Sequence, residues 1–207
     1  MPASLFPDAD ELTAIPIEDG ELYFVQQLAL PLSHDAILAQ LIADTPWRAE
    51  SIQVWGKLHL QPRLSAWYGD PDARYTYSGI ALVPLPWTPL LQTVRQSVEQ
   101  ISGYRFNSVL LNYYRDGQDS MGMHSDDEAE LGPRPAIASL SFGAPRTFIL
   151  KHKTRRDLPK RAFALGNGNL LLMAGALQQH WLHGIHKQSS NCAPRVNLTF
   201  RQIIIRK

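Results

Sequence analysis

Two stretches of the chain carry the three- and four-residue spacing of apolar side chains that marks one face of a helix. In the first, Ile37, Leu38, Leu41 and Ile42 follow Ser33, whose hydroxyl suits an N-cap. In the second, Leu91, Val94, Val98 and Ile101 follow Thr88-Pro89, and Gly103 stands just past the end. Elsewhere the pattern is β-like. Residues 51–60 and 62–80 read as strands and hairpins, and after Tyr104 come short runs separated by turn residues: Phe106–Tyr114, Ala136–Ser141, Thr147–Lys151, Leu170–Met173 and Arg195–Ile205. Two helices followed by many short strands predict a mainly β, α+β architecture, a sandwich, barrel or jelly roll with helices packed outside. Residues 1–20 show no periodicity and predict a mobile or loosely draped arm.

Length and composition narrow the class without deciding it. At 207 residues the chain suits a single domain with its own core. Cys192 is the sole cysteine, so no internal disulfide can form and a reducing, intracellular compartment is expected. No positive segment followed by an apolar run opens the chain, and the longest apolar stretch, Leu170 to Leu177, is far too short to span a membrane. The expectation is a protein neither secreted nor membrane-bound, and a monomer. The formal net charge is only +1, yet eight of the 19 acids precede Arg48, the first basic residue, so 11 acids face all 20 Lys and Arg in the remainder. That asymmetry suits a polyanionic partner as well as it suits scattered solvated charge.

The candidate chemistry starts at His124-Ser125-Asp126. On a strand, residues i and i+2 share a face, so a histidine and a carboxylate can reach one metal. A third ligand from His180, His183 or His186 would complete the two-His, one-carboxylate set of ferrous oxygenases. Spacing alone is compatible with iron, zinc or no metal. Upstream, Asn112 and Tyr114 share a face of a predicted strand. Downstream, Arg195 to Arg201 alternates strictly, with Arg195, Asn197, Thr199 and Arg201 on one side and Val196, Leu198 and Phe200 on the other. Arginines facing inward from a core strand are costly unless an anion meets them, which implies a carboxylate ligand, a partner acid or both. Trp55-Gly56-Lys57 resembles a hairpin tip, although spacing alone favours a core tryptophan, and Tyr75 and Tyr77 share a face as packed sheet aromatics would. Lys151, His152, Lys153, Arg155, Arg156, Lys160 and Arg161 crowd one connection with only Asp157 against them; such a run is usually a solvated loop, and in an enzyme that acts on nucleic acid it reads at least as well as a phosphate-tracking surface.

The string from Asn112 to Asp126, the segment Trp181-Leu182-His183, and Pro194 to Arg201 together resemble the AlkB family of iron(II) and 2-oxoglutarate dependent dioxygenases, particularly its DNA-repair members. The resemblance runs from about Gln53 to the C-terminus. It implies a double-stranded β-helix, or jelly roll, over 105–207 and a nucleotide-recognition lid over 51–104; the acidic arm and helix over 1–50, read from the residues themselves, stand outside it, and the whole is expected to form one domain spanning 1–207. It implies iron ligation by His124, Asp126 and His183, leaving His180 and His186 as polar loop residues. The same comparison sets 2-oxoglutarate against Asn112, Tyr114, Arg195, Thr199 and Arg201, with Asn197 beside them. Arg195 and Arg201 stand roughly 20 Å apart along an extended strand, so one is expected to hold the distal carboxylate and the other to brace the metal end.

By the same resemblance, Trp55, Gly56 and Lys57 form a wedge that fills the gap left by a flipped base. Tyr75, Thr76 and Tyr77 wall the base pocket, and Asp127 recognises the base. A carboxylate suits 1-methyladenine and 3-methylcytosine, which are cationic at neutral pH, and aromatic walls add cation–π attraction. The implied activity is oxidative dealkylation of N-alkylated bases in DNA, with RNA as a further candidate. Dioxygen is the co-substrate, 2-oxoglutarate is decarboxylated to succinate, and formaldehyde is released. The alternative is an oxygenase with the same cofactors acting on a protein or small molecule; Tyr75, Tyr77, Asp127 and the basic segment argue against it.

Overall fold

The structure is a computed structural model that describes residues 11–54, 57–73, 75–77, 80–188 and 192–204, with backbone alone over 52–54, 57–59, 75–77 and 80–82. Strands β1 (Thr13–Ala14) and β2 (Glu21–Val25) make a hairpin that leads into α1 (His34–Asp44). Ser33 Oγ accepts from the Ala36 amide at 3.3 Å, Ile37 and Leu41 are buried, and Thr45, extended ahead of Pro46, stops the helix. Strands β3 (Ser51–Val54), β4 (Lys57–Leu60), β5 (Leu64–Gly69), β6 (Tyr75–Tyr77) and β7 (Ile80–Leu82) precede α2 (Pro89–Ser102). Thr88 Oγ1 caps α2 by accepting from the Leu91 amide at 3.2 Å, and Gly103 closes it at φ 73°, a left-handed conformation glycine adopts without strain. The rest of the chain is β8 (Ser108–Tyr114), β9 (Met121–His124), β10 (Ile137–Gly143), β11 (Arg146–His152), β12 (Arg161–Leu165), β13 (Leu170–Ala174), the single turn α3 (Leu177–His180), β14 (Trp181–Ile185) and β15 (Arg195–Arg201).

A seven-stranded sheet runs in the order β1-β2-β13-β10-β15-β8-β5, and a four-stranded sheet in the order β12-β11-β14-β9. All their strand pairs are antiparallel. The two sheets face each other as a jelly roll. One core lies between them, where Leu171 and Met173 meet Phe148, Leu150 and Ile185, and a second lies on the outer face of the larger sheet under α1 and α2. Burial on both faces explains why β13 reads as an unbroken apolar run: Leu170 and Leu172 enter the helix-side core while Leu171 and Met173 enter the other.

On β15 the alternation separates two functions. Val196, Leu198 and Phe200 fill the helix-side core. The opposite face carries Arg195 beside Tyr114, Asn197 between Asn112 and Ser141, and Thr199 beside Ser139. Polar side chains thus occupy the inter-sheet positions of three neighbouring strands, where apolar residues would otherwise complete the core. At the end of this row Gly143 has φ 88°, and a Cβ there would stand 2.4 Å from the Pro194 carbonyl, so the turn after β10 requires glycine.

Several sequence expectations need correction. Residues 11–20 are not a draped arm: Ile15 N donates to Leu22 O at 2.8 Å, Trp181 Nε1 donates to Glu18 O at 2.8 Å, and β2 adds to the large sheet beside β13. Residues 1–10 lie outside the described residues. The segment 51–104 divides: β3–β4 and β6–β7 are separate hairpins, whereas β5 pairs with β8 in the large sheet and α2 packs on that sheet's outer face. The last strand stops at Arg201, because Ile203 instead exchanges hydrogen bonds with the Asn107 side chain at 2.7 and 2.8 Å. Finally, β9 ends at His124, so Asp126 follows the strand rather than sharing its face.

Candidate active site

His124, Asp126 and His183 converge, each offering a ligand atom within 4.8 Å of the others. Cross-strand pairing does most of this: on β9 and β14, His124 and His183 are direct register partners, with ring centroids 4.3 Å apart. Asp126 arrives from the loop beyond β9, where its amide donates to Gln178 Oε1 at 2.9 Å. Its Oδ1 accepts from Arg201 at 2.7 Å, while Oδ2 is buried, has no hydrogen-bond partner, and lies 3.9 Å from His183 Nε2. His124 Nδ1 is 2.9 Å from the Gly122 carbonyl and so carries its proton there, which leaves the Nε2 lone pair free. Phe148 packs face-on against the His183 ring at 5.4 Å.

The protonation states suit a cation. Burial alone would raise the Asp126 carboxyl, but Arg201, His183 and His124 together hold it at about 2. Burial, then the neighbouring His124, pushes His183 down to about 3, so it is neutral at pH 7 and the standing counter-charge on Asp126 is Arg201. A neutral His183 imidazole, the His124 ring turned by its Nδ1 contact to the Gly122 carbonyl, and a carboxylate with a buried, unsatisfied oxygen fit a divalent iron with open positions.

Beyond the triad the inter-sheet cavity is lined by Asn112, Tyr114, Ser139, Arg195, Asn197 and Thr199. Arg195 is fully buried. Its Nη2 donates to Ser141 Oγ at 2.8 Å and its guanidinium lies 5.0 Å from the Tyr114 ring, yet Nε and Nη1 find no partner. Burial pushes its pKa below the usual range. A cation left two donors short inside a core calls for an anion, and a carboxylate would satisfy both. Asn112 Oδ1 accepts from Arg63 Nε at 2.8 Å, which turns the amide nitrogen away from that arginine. Asn197 is used within the scaffold: its nitrogen donates to Ser139 Oγ at 2.9 Å and Leu140 O at 3.1 Å, and its oxygen accepts from Thr199 Oγ1 at 2.9 Å.

Sequence reasoning passed over Arg63, Arg146, Gln178 and the two serines. Arg146 is buried at the Tyr114 ring, 5.6 Å from its centroid, and donates to the carbonyls of Asp116, Asp119 and His186. A lone arginine at a strand start carries no pattern, and only the register of β10 reveals that Ser139 and Ser141 face inward.

Of the proposed base contacts, Asp127 is exposed and paired with Lys153 at 3.0 Å. Burial would raise its carboxyl, but hydrogen bonds from Lys153 and Ser125 hold it below the usual range. Lys57 opens β4, and Tyr75, Thr76 and Tyr77 form β6. Trp55 and Gly56 lie outside the described residues. In the basic segment Arg155 pairs with Asp157 at 2.6 Å, and Lys151, Arg156 and Lys160 are exposed.

The competing histidines sit elsewhere. His186 follows β14, and His180 ends α3, where with Asp19 and His152 it forms a second group of ligand-type atoms within 4.8 Å. This group is poorly suited to a metal. His152 Nδ1 accepts from the Thr154 and Arg155 amides at 3.3 and 2.9 Å, so Nε2 bears the proton and donates it to Asp19 at 3.2 Å.

Fold and site together define a class: a jelly-roll protein with a two-His, one-carboxylate metal set opening onto an arginine-floored cavity. Comparison with known proteins agrees, since the sequence profile of the 2OG-Fe(II) oxygenase superfamily matches residues 21–201. The chain belongs to that superfamily and, within it, to the AlkB family. Human DNA oxidative demethylase ALKBH2 is 46% identical over 162 residues, 75% of this chain and 62% of that protein. Mouse alpha-ketoglutarate-dependent dioxygenase alkB homolog 3 is 44% identical over 177 residues, 82% of this chain and 61% of that protein. Arabidopsis thaliana DNA oxidative demethylase ALKBH2 is 33% identical over 213 residues, 89% and 67% of the two chains. The chain therefore spans under two thirds of the mammalian relatives' length. Among solved structures, OsALKBH1 superposes with a TM-score of 0.63 at 15% identity, covering 91% of this chain and 99% of that one, a likeness of fold. Membership implies Fe(II) and 2-oxoglutarate as cofactors, with dioxygen. No helix among the described residues is long and apolar enough to cross a membrane.

Proposed function

We propose that this protein removes N-alkyl groups oxidatively from bases in DNA, of the 1-methyladenine and 3-methylcytosine type, releasing formaldehyde. The observation that carries the reading is the buried Arg195, two donors short, on the same strand as the Arg201 that braces the metal-binding Asp126. When bound, Fe(II) and 2-oxoglutarate supply the oxidation, the keto acid being decarboxylated to succinate as dioxygen is consumed. His124, Asp126 and His183 hold the metal. Arg195 takes the distal carboxylate with Tyr114 beneath it, while Ser141 fixes the guanidinium and Arg63 fixes the Asn112 amide. Asn197 and Thr199 keep the strand's polar face in register. Asp127 accepts from the damaged base, Tyr75, Thr76 and Tyr77 wall it, and Trp55, Gly56 and Lys57 fill the vacated stack.

The relatives named as DNA oxidative demethylases support DNA over a protein or small molecule. Action is intracellular, where DNA is. The test is anaerobic loading with Fe(II) and 2-oxoglutarate, then aerobic incubation with DNA or RNA strands carrying 1-methyladenine or 3-methylcytosine. Mass spectrometry should show loss of the methyl group from DNA. Methylated strands left intact while succinate accumulates would sink the proposal, and faster repair of RNA would move the substrate class.

A further inference from the structure

Asp127 has a fixed counter-ion. Lys153 Nζ lies 3.0 Å from its Oδ2, and the Ser125 hydroxyl donates to the same oxygen at 2.8 Å. A second bond pins the ammonium, which donates to the Gln178 carbonyl at 2.9 Å. Gln178 is itself buried, and its side chain accepts from the Asp126 amide. Lys153 is therefore tied to the loop that carries the metal-binding carboxylate. Its side chain is only 25% exposed, against 54% for Asp127.

A lone carboxylate beside a base pocket attracts cationic bases and charges neutral ones a desolvation cost. A carboxylate already paired with an ammonium does neither strongly, because the cation's repulsion offsets the anion's attraction. Asp127 Oδ1, which takes neither contact, still offers an acceptor to an exocyclic amine or ring N–H. We propose that Lys153 sets the charge preference of the base pocket: by neutralising Asp127 it lets the site accept uncharged N-alkylated bases alongside cationic ones. The inference rests on the dealkylation reading and adds to it a specificity-determining residue, Lys153.

The test compares two oligonucleotides of one sequence, carrying either 3-methylcytosine, cationic at neutral pH, or 3-methylthymine, uncharged. The readout is the ratio of kcat/KM for the cationic over the neutral base at low salt. Lys153→Gln should raise this ratio about 3- to 5-fold, the scale of a partly exposed ion pair. Lys153→Arg should keep the wild-type ratio, and Asp127→Asn, which leaves the ammonium alone, should lower it. A merely structural lysine would reduce both rates by one factor; an unchanged ratio in K153Q, or a fall, overturns the inference. Wild-type protein that repairs neither base would remove the dealkylation reading and this inference with it. Repair of 3-methylcytosine with an unmoved K153Q ratio would remove only the role of Lys153.

Discussion

Replacing Arg195 with methionine separates what this residue does for the fold from what it does for the ligand. In the ligand-free protein its stabilising contacts are one bond to Ser141 Oγ and the face of Tyr114. These contribute about 1.5–3 and about 0.5–2 kcal/mol respectively. Against them stand two buried donors without partners, Nε and Nη1, each costing about 1–3 kcal/mol. The terms nearly cancel, and methionine is long and adaptable enough to fill much of the space. The melting temperature without ligand should therefore move by no more than about 2–4 °C, the equivalent of roughly 1 kcal/mol at this size. The keto-acid site behaves differently. Losing two charge-assisted hydrogen bonds to a carboxylate should weaken 2-oxoglutarate binding by about 10²- to 10⁴-fold. Calorimetric titration of 2-oxoglutarate into Mn(II)-loaded wild type and R195M, with melts of both proteins, reads the two effects separately. A fall of about 10 °C or more in Tm, corresponding to several kcal/mol, with unchanged 2-oxoglutarate affinity would make Arg195 a core residue and refute the reasoning.

His183→Ala should abolish Fe(II) binding in an anaerobic titration, while His180→Ala and His186→Ala retain it; the reverse pattern would identify a different third ligand. Glu99 is buried and accepts from the Phe106 amide at 2.8 Å and from Arg95 and Arg105. Burial would raise its carboxyl, but these bonds hold it below the ordinary 4.5. Its stabilisation is thus present above that value and lost as pH falls through the lower folded one, so Glu99→Gln should lower Tm at neutral pH and converge with wild type in acid. A Tm gap that stays constant into acid would contradict this linkage. Arg155→Ala with Arg156→Ala should reduce the slope of log affinity against log salt for single-stranded DNA by about 1–2, and an unchanged slope would take this segment out of the interface.

What the sequence makes legible is local. Thr88, Pro89 and Gly103 delimit α2 within a residue because capping is decided by neighbours along the chain. The alternation from Arg195 to Arg201 gives both faces of β15, since a strand has only two. What stays hidden depends on register and topology. His180, His183 and His186 are equally spaced, and only the pairing of β14 with β9 sets His183 opposite His124. β14 and β12 themselves escape notice, being five residues each with a polar or small residue breaking the run. β2 is missed because it joins the sheet beside β13, almost 150 residues away in sequence. Arg63 and Gln178 owe their roles to contacts 49 and 52 residues distant, with Asn112 and Asp126. No pattern along the chain encodes such pairings.

The central claim is that 2-oxoglutarate turnover in this protein is spent on the alkyl group of a DNA base. Counting succinate, formaldehyde and restored adenine in one aerobic reaction, on a strand with a single 1-methyladenine, tests it most directly. The account predicts that all three rise together in equal amounts and that the unmethylated strand leaves succinate near background. Succinate that accumulates at the same rate on both strands, without formaldehyde or restored adenine, would contradict it.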